Sequence, residues 1–369
     1  MTIFRFFNEL QDPRPYNQKY DFLDIVFLVV TAVISGANSW TEIKLFGDLH
    51  LDWLRKYRPF ERGIPVDDTI ARIIKRIDPK AFNDIFINFI NEVRSLQGRE
   101  LIAVDGKTLR HSFNAETQTA IHSITVWSKS QGLVLLQRKS ESWKNEQAGV
   151  LEVLDSLCLK NAVVSVDAMN TQKKIAEKIK ARKGDYVMPL KHNHRVFRAE
   201  LEAYFHKAER DTPDKIARYQ ETDSERGRID ERHYRQLAVD KAWLTEATKW
   251  AGIKMVVCVE RRRIEQDRES RETAYYISSL TADVTELARS IRGHWEVENK
   301  AHWVLDVVYK EDECAVTDEW GAENLAVLRR LSLNLARLHP KKESMRSKLK
   351  RAGWSDSFRD ELLLGGAIK

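Results

Sequence analysis

The sequence predicts a mixed α/β protein that begins with a helical domain, and three observations support this fold class. Between Tyr20 and about Leu96, apolar residues recur at spacings of three and four, which is the period of a helix. From Leu101 onward, short runs of β-branched residues alternate with amphipathic stretches, the pattern of strands and helices in a sheet-containing domain. The chain of 369 residues, 43% of them hydrophobic, is long enough for roughly two domains with their own cores.

The segments after the helical region follow a recognisable order of elements. They are strands at Leu101 to Val104, Ile121 to Trp127 and Leu133 to Gln137, a helix around Val150 to Leu157, a strand ending at Asp167, a helix at Thr171 to Arg182, and a strand at Tyr186 to Leu190. Three antiparallel strands followed by helix, strand, helix and strand is the order of the ribonuclease-H-like fold, whose first and fourth strands are central neighbours. We therefore predict a ribonuclease-H-like catalytic core with an inserted β-rich domain, preceded by a small all-α N-terminal domain.

The distance along the chain between the candidate acids predicts the insertion. About 130 residues separate Asp167 from Glu298, which is too long for one connection in a compact domain. The predicted division is a helical N-terminal domain at 1–98, the first part of the core at 99–191, the β-rich insert at 192–280, the second part of the core with the catalytic helix at 281–340, and a basic C-terminal tail at 341–369. In the N-terminal domain, the helix after Asp67 has a basic face, which indicates either a helix-turn-helix for DNA ends or a solvated surface.

Two predicted strands end in a lone aspartate, Asp105 in one and Asp167 in the other. Neighbouring strands would place both carboxylates at the same edge of the sheet. With a third acid from a helix packed on the sheet, the cluster could hold two Mg²⁺ or Mn²⁺ ions, as in displacement at phosphorus. The alternative is that each aspartate only starts a turn.

A helix predicted from about Glu286 to Val308 offers Glu298 as the third acid. Its stripe along one face, with spacings of four and three, consists of Leu287, Ile291, Trp295, Glu298, His302 and Leu305. Glu296 lies roughly 200° away around the helix and should be solvated. His294, Glu298 and His302 also share one edge, which could instead be a zinc site, but the hard oxygen ligands of the two aspartates favour Mg²⁺ or Mn²⁺.

Basic residues near the predicted sheet edge suggest a track for DNA phosphates. The candidates are Lys107 and Arg110 after the first aspartate, Lys173 and Lys174 on the following helix, Lys191 after the fifth strand, and Arg226 and Arg228 in a charged cluster of the insert. Individually, such residues usually mark solvated faces. Trp295 is the candidate for stacking on an unpaired base, and packing in the core is its alternative role.

The composition and motifs are compatible with a polyanionic partner and exclude several other classes of protein. The net charge of +6 and the pI near 9.0 suit DNA without requiring it. The three cysteines are far apart, and no phosphate-binding loop, zinc-spaced cysteine pair or serine-hydrolase motif occurs. The longest apolar stretch, Ile25 to Ile34, is too short to cross a bilayer, and the N-terminus lacks a signal pattern. We therefore expect a cytoplasmic, nucleoid-associated protein with no membrane partner.

Several short motifs are spread over nearly the whole chain. They are Ala32 to Ala37, Gly63 to Thr69, Val104 to Arg110, Lys144 to Glu146, Val166 to Met169, His294 to Asn299, and His302 to Val307. In this combination they resemble the motifs of H-repeat-associated transposases of bacterial insertion sequences, members of the DDE superfamily. The resemblance implies a metal triad of Asp105, Asp167 and Glu298 and a homodimer that pairs two DNA ends. It adds Lys144, Asn145, His294 and Asn299 to the candidate DNA contacts.

The chain departs from the family pattern in two places. Family members usually read Lys-Gly-Asn-Gln where this chain has Lys191 to His194. The Tyr, Arg and Lys positions of the wider superfamily's signature around the third acid are Ile291, His294 and Leu305 here. Because those residues hold DNA ends or hairpins in relatives, a hairpin intermediate is not part of the prediction.

The sequence therefore predicts a DNA transposase that cuts transposon ends and transfers strands by a two-metal mechanism. Its partners would be double-stranded DNA, as ends and as target, and a second copy of the chain. One alternative is a ribonuclease-H-like nuclease or resolvase that nicks without joining strands. The other is a catalytically silent DNA-binding remnant of a transposase.

Overall fold

The structure is a computed structural model, and its described residues form two compact units. The described residues are 9–15, 18–94, 98–108, 122–140, 146–225, 227–265, 268–314, 316 and 318–364. Unit 1 comprises Met1–Ser95, Gly106–Asn145 and Glu298–Lys369, and unit 2 comprises Leu96–Asp105 and Glu146–Val297. The five-part division expected from the sequence is finer than these units and stays a prediction.

Helices and strands are numbered in chain order within these residues. The helices are α1 Phe22–Ile34, α2 Trp40–Leu49, α3 Leu51–Leu54, α4 Asp67–Ile74, α5 Pro79–Val93, α6 Glu146–Asp155, α7 Lys173–Ala181, α8 Arg195–Asp211, α9 Val284–Glu296, α10 Trp303–Val307, α11 Glu319–Leu338, α12 Met345–Trp354 and α13 Asp356–Leu364. The strands are β1 Glu100–Thr108, β2 His122–Ser128, β3 Leu133–Ser140, β4 Ala162–Val166, β5 Asp185–Leu190, β6 Ala217–Glu225, β7 Arg228–Ala238, β8 Met255–Glu265 and β9 Arg268–Ser278. No helix in the described ranges is long and apolar enough to cross a membrane.

Unit 1 begins with the helices α1 to α5, which confirms the helical pattern read from the sequence. Asp21 caps α1 by accepting a hydrogen bond from the Asp24 backbone N–H at 3.0 Å, and Ser39 caps α2 in the same way. Helix α1 is buried almost all round, as expected for a helix that is apolar on every face. It therefore forms the centre of the helical part of unit 1.

The C-terminal part of unit 1 is more helical than the predicted basic tail. Helix α11, Glu319–Leu338, is buried along most of its length. Beyond Pro340, α12 and α13 bury Leu349, Phe358 and Leu362. In the sequence these apolar residues stand among basic ones, which hides their helical pattern. The segment that was predicted only as a basic tail therefore contains two helices.

The sheet of unit 2 confirms the central strand pairing. Its strand order is β1-β4-β5-β9-β8-β7-β6, with β1 parallel to β4 and β4 parallel to β5. All five residues of β4 are buried, as expected for a strand covered on both faces. In unit 1, the antiparallel pair β2 and β3 confirms the predicted hairpin. The first and fourth strands are thus neighbours, as the element order predicts.

The segment expected to be a β-rich insert contains four antiparallel strands, β6 to β9, preceded by a long helix. Strand β9 pairs with β5, so these strands continue the sheet of unit 2. Helix α8 was not predicted, although Phe197, Leu201, Phe205 and Ala208 recur at helical spacing and are buried. Helix α9 packs on the same sheet through Leu287, Ala288 and Ile291. The large mixed sheet with flanking helices establishes an α/β architecture.

Candidate active site

Asp105 and Asp167 lie side by side where the pairing between the parallel strands β1 and β4 stops. Strand β4 ends just before Asp167, whereas β1 continues to Thr108, so the predicted end of the first strand at Asp105 is wrong. The last paired residues are Val104 of β1 and Val166 of β4, so the aspartates that follow the two valines are neighbours across the strand pair. Adjacent strands run roughly 4.8 Å apart, which is close enough for two carboxylates to share a cation. Both residues are half-buried, so they remain accessible to a ligand. The predicted proximity of Asp105 and Asp167 follows from this pairing of β1 with β4.

The turn that carries Asp167 is held by its own hydrogen bonds. The Asn170 backbone N–H donates to Oδ1 of Asp167 at 2.8 Å, and the Thr171 hydroxyl donates to the Asp167 carbonyl oxygen at 2.9 Å. Asn170 and Thr171 are fully buried, which is uncommon for polar side chains in a surface turn. The Asp167 carboxylate is therefore fixed by the fold itself. The Asp-x-x-Asn spacing is the sequence signal that could have identified this turn.

Residues after β5 hold the same turn from a second side. In the short 3₁₀ helix His192–His194, Asn193 donates through Nδ2 to the Ala168 carbonyl oxygen at 2.8 Å. His194 donates through Nε2 to the Thr171 carbonyl oxygen at 2.7 Å. Asn193 matches the Asn of the Lys-Gly-Asn-Gln pattern, whereas His194 stands at its Gln position. Here they bind the backbone of the Asp167 turn.

His294 lies on α9 with its ring against β4. Its Nδ1 is 3.2 Å from the hydroxyl oxygen of Ser165, two residues before Asp167. Burial lowers the pKa of His294 to about 4, although the nearby Asp167 acts in the opposite direction. The imidazole is therefore neutral at pH 7 in this arrangement. Its predicted contact with DNA stays a prediction, and that contact would not be an ion pair.

Glu298 lies in unit 1, in an exposed π-helical turn that follows α9. Helix α9 ends at Glu296, and Val297–His302 is π-helical before the chain resumes as α10. The extra residue in each π turn shifts the side chains around the axis. Within this segment Val297 and Ala301 are buried and Glu298 is exposed, and Trp295, which precedes it in α9, is exposed as well. Of the predicted stripe, Leu287, Ile291, His302 and Leu305 are buried, whereas Trp295 and Glu298 are exposed, so the six residues do not share one buried face.

Asp105 and Asp167 are candidate ligands for a divalent metal ion. Within the described part of the chain, no three or more His, Cys, Asp or Glu side chains lie together in a group that could hold a metal ion. The two aspartates fit a divalent cation by their chemistry and position. The third ligand is a matter for proposal.

Lys107 is engaged with carboxylates inside unit 1. Its ammonium group pairs with Asp306 and lies 3.4 Å from Asp312 and 3.6 Å from Glu311, and only 11% of its side chain is exposed. Glu311 also pairs with the fully buried Arg330. Burial alone would raise the pKa of Glu311, but the Arg330 guanidinium outweighs burial and lowers it to about 2. In this arrangement the Lys107 ammonium group is paired with carboxylates of the protein itself.

The other candidate DNA contacts differ in their surroundings. Lys174, Lys191 and Asn299 are exposed, and Lys173 has 42% of its side chain exposed, with Glu246 at 3.9 Å. Arg228 forms an ion pair with Asp230 at 2.9 Å. The candidates Arg110, Lys144, Asn145 and Arg226 lie outside the described residues.

Trp295 has a cationic neighbour that the sequence analysis missed. The Arg261 guanidinium lies 4.9 Å from the centre of the Trp295 ring and donates to the Tyr276 hydroxyl at 2.9 Å. Trp295 remains 45% exposed. Arg261 comes from β8, and no local signal in the sequence connects it with α9.

Comparison with known families and proteins gives a consistent result. The family described as "Transposase DDE domain" matches residues 96–335, and the one described as "DDE_Tnp_1-associated" matches residues 4–90. The chain is 37% identical to the Escherichia coli protein named "H repeat-associated putative transposase YhhI" over 351 residues, which are 94% of this chain and 93% of that protein. It is also 37% identical to "Putative protein YbfL" of Escherichia coli, over 93% of this chain and 92% of that protein.

Two further likenesses are shorter or more distant. The Escherichia coli protein named "Inactive transposase YbfQ" is 55% identical over 53 residues, which are 14% of this chain and 63% of that protein. A solved piggyBac transposase synaptic complex with hairpin DNA covers 100% of this chain and 79% of that one at 10% identity. Its TM-score of 0.42 is too low to support an argument about the fold. From the domain match and the long relatives, the chain belongs to the DDE transposase family.

Proposed function

We propose that this protein cuts DNA at transposon ends and joins the cut ends to a target, using divalent metal ions. The observation that carries the proposal is the pair Asp105 and Asp167, which follow the last paired residues of β1 and β4, in a chain matched by the transposase DDE domain. Phosphodiester displacement needs hard cations, and carboxylates are the ligands such cations prefer. The parallel β1, β4 and β5 also support a ribonuclease-H-like core that continues into an inserted β region.

The proposed reaction assigns metal binding and positioning roles to different residues. Asp105 and Asp167 would hold two Mg²⁺ or Mn²⁺ ions, and Glu298 would supply the third carboxylate. When bound, the ions activate a water or a 3′-hydroxyl for attack and stabilise the leaving oxygen. The Asn170 N–H orients Asp167 by binding Oδ1. The neutral imidazole of His294 ties α9 to β4 through Ser165.

DNA would be held by residues that do not take part in the chemistry. The exposed Lys174 and Lys191, with the half-exposed Lys173, would contact phosphates and position the duplex without reading its sequence. Trp295 would stack on a displaced base, with Arg261 on its ring adding a positive charge. We assign recognition of the transposon ends to the N-terminal helices and the insert, and we expect a dimer on paired ends in a nucleoid-associated protein.

The test is an assay that separates cutting from joining. A duplex carrying the inverted repeat beside the gene is incubated with protein, supercoiled target plasmid and Mg²⁺, and cut and joined products are measured separately. We expect both products in Mg²⁺ and neither in EDTA. Cutting without joining would favour the nuclease alternative, and binding with no cutting in Mg²⁺ or Mn²⁺ would favour the silent remnant.

A further inference from the structure

The turn that carries Asp167 contains a buried pair, Glu146 and Asn170. Glu146 is the first residue of α6 and only 2% exposed, and Asn170 is fully buried. Asn170 donates through Nδ2 to Oε1 of Glu146. Removing a carboxylate from water is costly unless hydrogen bonds compensate for it. An ordinary surface turn has no need of such a pair, so its position beside a candidate ligand calls for a functional explanation.

A short path of hydrogen bonds connects this pair to the carboxylate of Asp167. The backbone N–H of Asn170 donates to Oδ1 of Asp167 at 2.8 Å. Within the described residues, Oδ1 of Asn170 accepts no hydrogen bond, so the bond to Glu146 is what sets the orientation of this amide. Fixing the Asn170 side chain fixes its backbone N–H, and through it one of the two oxygens of Asp167.

We propose that Glu146 is a positioning residue for Asp167, acting through Asn170 without itself touching an ion or DNA. The inference rests on the proposed function, because it assigns a role only if Asp167 binds a cation. Partners of this kind orient metal ligands in proteins, and losing one typically costs about 10- to 100-fold in metal affinity. A carboxylate suits the role because charge-assisted hydrogen bonds are roughly twice as strong as neutral ones.

The competing explanation is that the pair only stabilises the fold. Both explanations predict that breaking the pair lowers stability, so stability alone cannot separate them. The two explanations differ in what should happen when the hydrogen bond is restored with donor and acceptor exchanged between the two positions. If the pair positions Asp167, restoring the bond recovers cation affinity together with stability.

The experiment uses Asn170→Asp, Glu146→Gln and the double variant in the full-length protein. Asn170→Asp places two carboxylates face to face, whereas the double variant lets the new Gln side chain donate to the new Asp side chain. Mn²⁺ binding is measured without DNA from the electron paramagnetic resonance signal of free Mn²⁺, and the Mn²⁺ dependence of end cleavage is measured separately. Glu152→Gln, at an exposed position of α6, is the matched control.

We expect Asn170→Asp to weaken Mn²⁺ binding by about 10- to 100-fold, with most of the cleavage rate regained at saturating Mn²⁺. Glu146→Gln keeps an acceptor and should weaken binding less, which gives a measurable variant if Asn170→Asp folds poorly. The double variant should bind Mn²⁺ more tightly than Asn170→Asp does. Glu152→Gln should match the unchanged protein.

Two results would overturn the positioning role while leaving the proposed function intact. One is unchanged Mn²⁺ affinity in both single variants of a protein that cleaves DNA. The other is a double variant that recovers its melting temperature but not its Mn²⁺ affinity. If the unchanged protein neither binds Mn²⁺ nor cleaves in its presence, the proposed function and the positioning role fall together.

Discussion

Asp167 and Glu298, two of the three proposed ligands, occupy contrasting surroundings. Asp167 follows a fully buried strand, and its carboxylate accepts a hydrogen bond within a turn that is tied to α6 and to the segment after β5. Glu298 is exposed in a π-helical turn. A ligand held by the fold is preorganised, whereas an exposed one is free to adjust when a cation binds. The proposed triad therefore combines a ligand that is held in place with one that is exposed. We expect mutations beside Asp167 to affect cation binding more than mutations beside Glu298 do.

The lysines show a second contrast with the same lesson. Lys107 and Lys191 were both predicted as phosphate contacts because basic residues are concentrated near the two aspartates. Lys107 is surrounded by Asp306, Glu311 and Asp312, whereas Lys191 is exposed. Charge in the sequence therefore identified basic residues near the site without indicating which ones can reach DNA.

The largest expected effect is on the rigid ligand. Asp167→Asn keeps the shape of the side chain but removes its charge, so cleavage should fall by roughly 10³-fold, since metal catalysis is worth several kcal/mol. Binding to transposon ends should persist. The measurement is cleavage in Mg²⁺ beside a gel-shift assay, with Asp155→Asn as the control at an exposed ion pair of the same unit. Normal cleavage by Asp167→Asn would remove Asp167 from the site.

The next effect concerns the acidic cluster around Lys107. Glu311→Gln leaves the buried Arg330 without its charged partner and should lower the free energy of unfolding by about 3–5 kcal/mol. The pKa of Glu311 is lowered in the folded state to about 2 from 4.5, so its contribution is present above pH 4.5 and is lost as the pH falls towards 2. Denaturant unfolding between pH 7 and pH 3 should show a weaker acid dependence in Glu311→Gln. Equal acid dependence in both proteins would contradict the assignment.

A smaller effect is expected at the aromatic candidate for base stacking. Trp295→Ala should weaken binding of an end with an unpaired terminal nucleotide by about tenfold, because stacking is worth about 1–3 kcal/mol per base. Binding to a fully paired end should change little. Trp320→Ala is the control, since Trp320 is 46% exposed against 45% for Trp295. Equal losses on both DNAs would indicate that Trp295 supports the fold.

The smallest effect is expected from the lysines. Replacing Lys173, Lys174 and Lys191 by Gln should flatten the slope of log affinity against log salt by up to about 0.9 per lost phosphate contact. Lys178→Gln is the control, because Lys178 is ion-paired with Asp155 at 2.9 Å. A slope equal to that of the unchanged protein would show that these lysines are only solvated.

The neighbouring aspartates could be predicted because their signal is local. Each follows a short apolar run, and the order of elements was enough to make β1 and β4 neighbours. The helical stripe through Glu298 could not be read correctly, because a π turn changes a period that the sequence analysis took as constant. The pair of Glu146 with Asn170 and the ion pairs of Lys107 join distant positions, and a single sequence carries no local signal for such contacts.

The most direct test of the account is the rate of end cleavage by Glu298→Gln beside Glu296→Gln, in saturating Mg²⁺. The account claims that Glu298 completes the site opened by Asp105 and Asp167. Glu298→Gln should therefore lower cleavage strongly, though by no more than Asp167→Asn does. It should also reduce any rise in melting temperature caused by Mn²⁺, because a ligand that binds only the folded state stabilises it. Glu296→Gln should retain both. Full cleavage by Glu298→Gln together with loss of cleavage in Glu296→Gln would contradict the account.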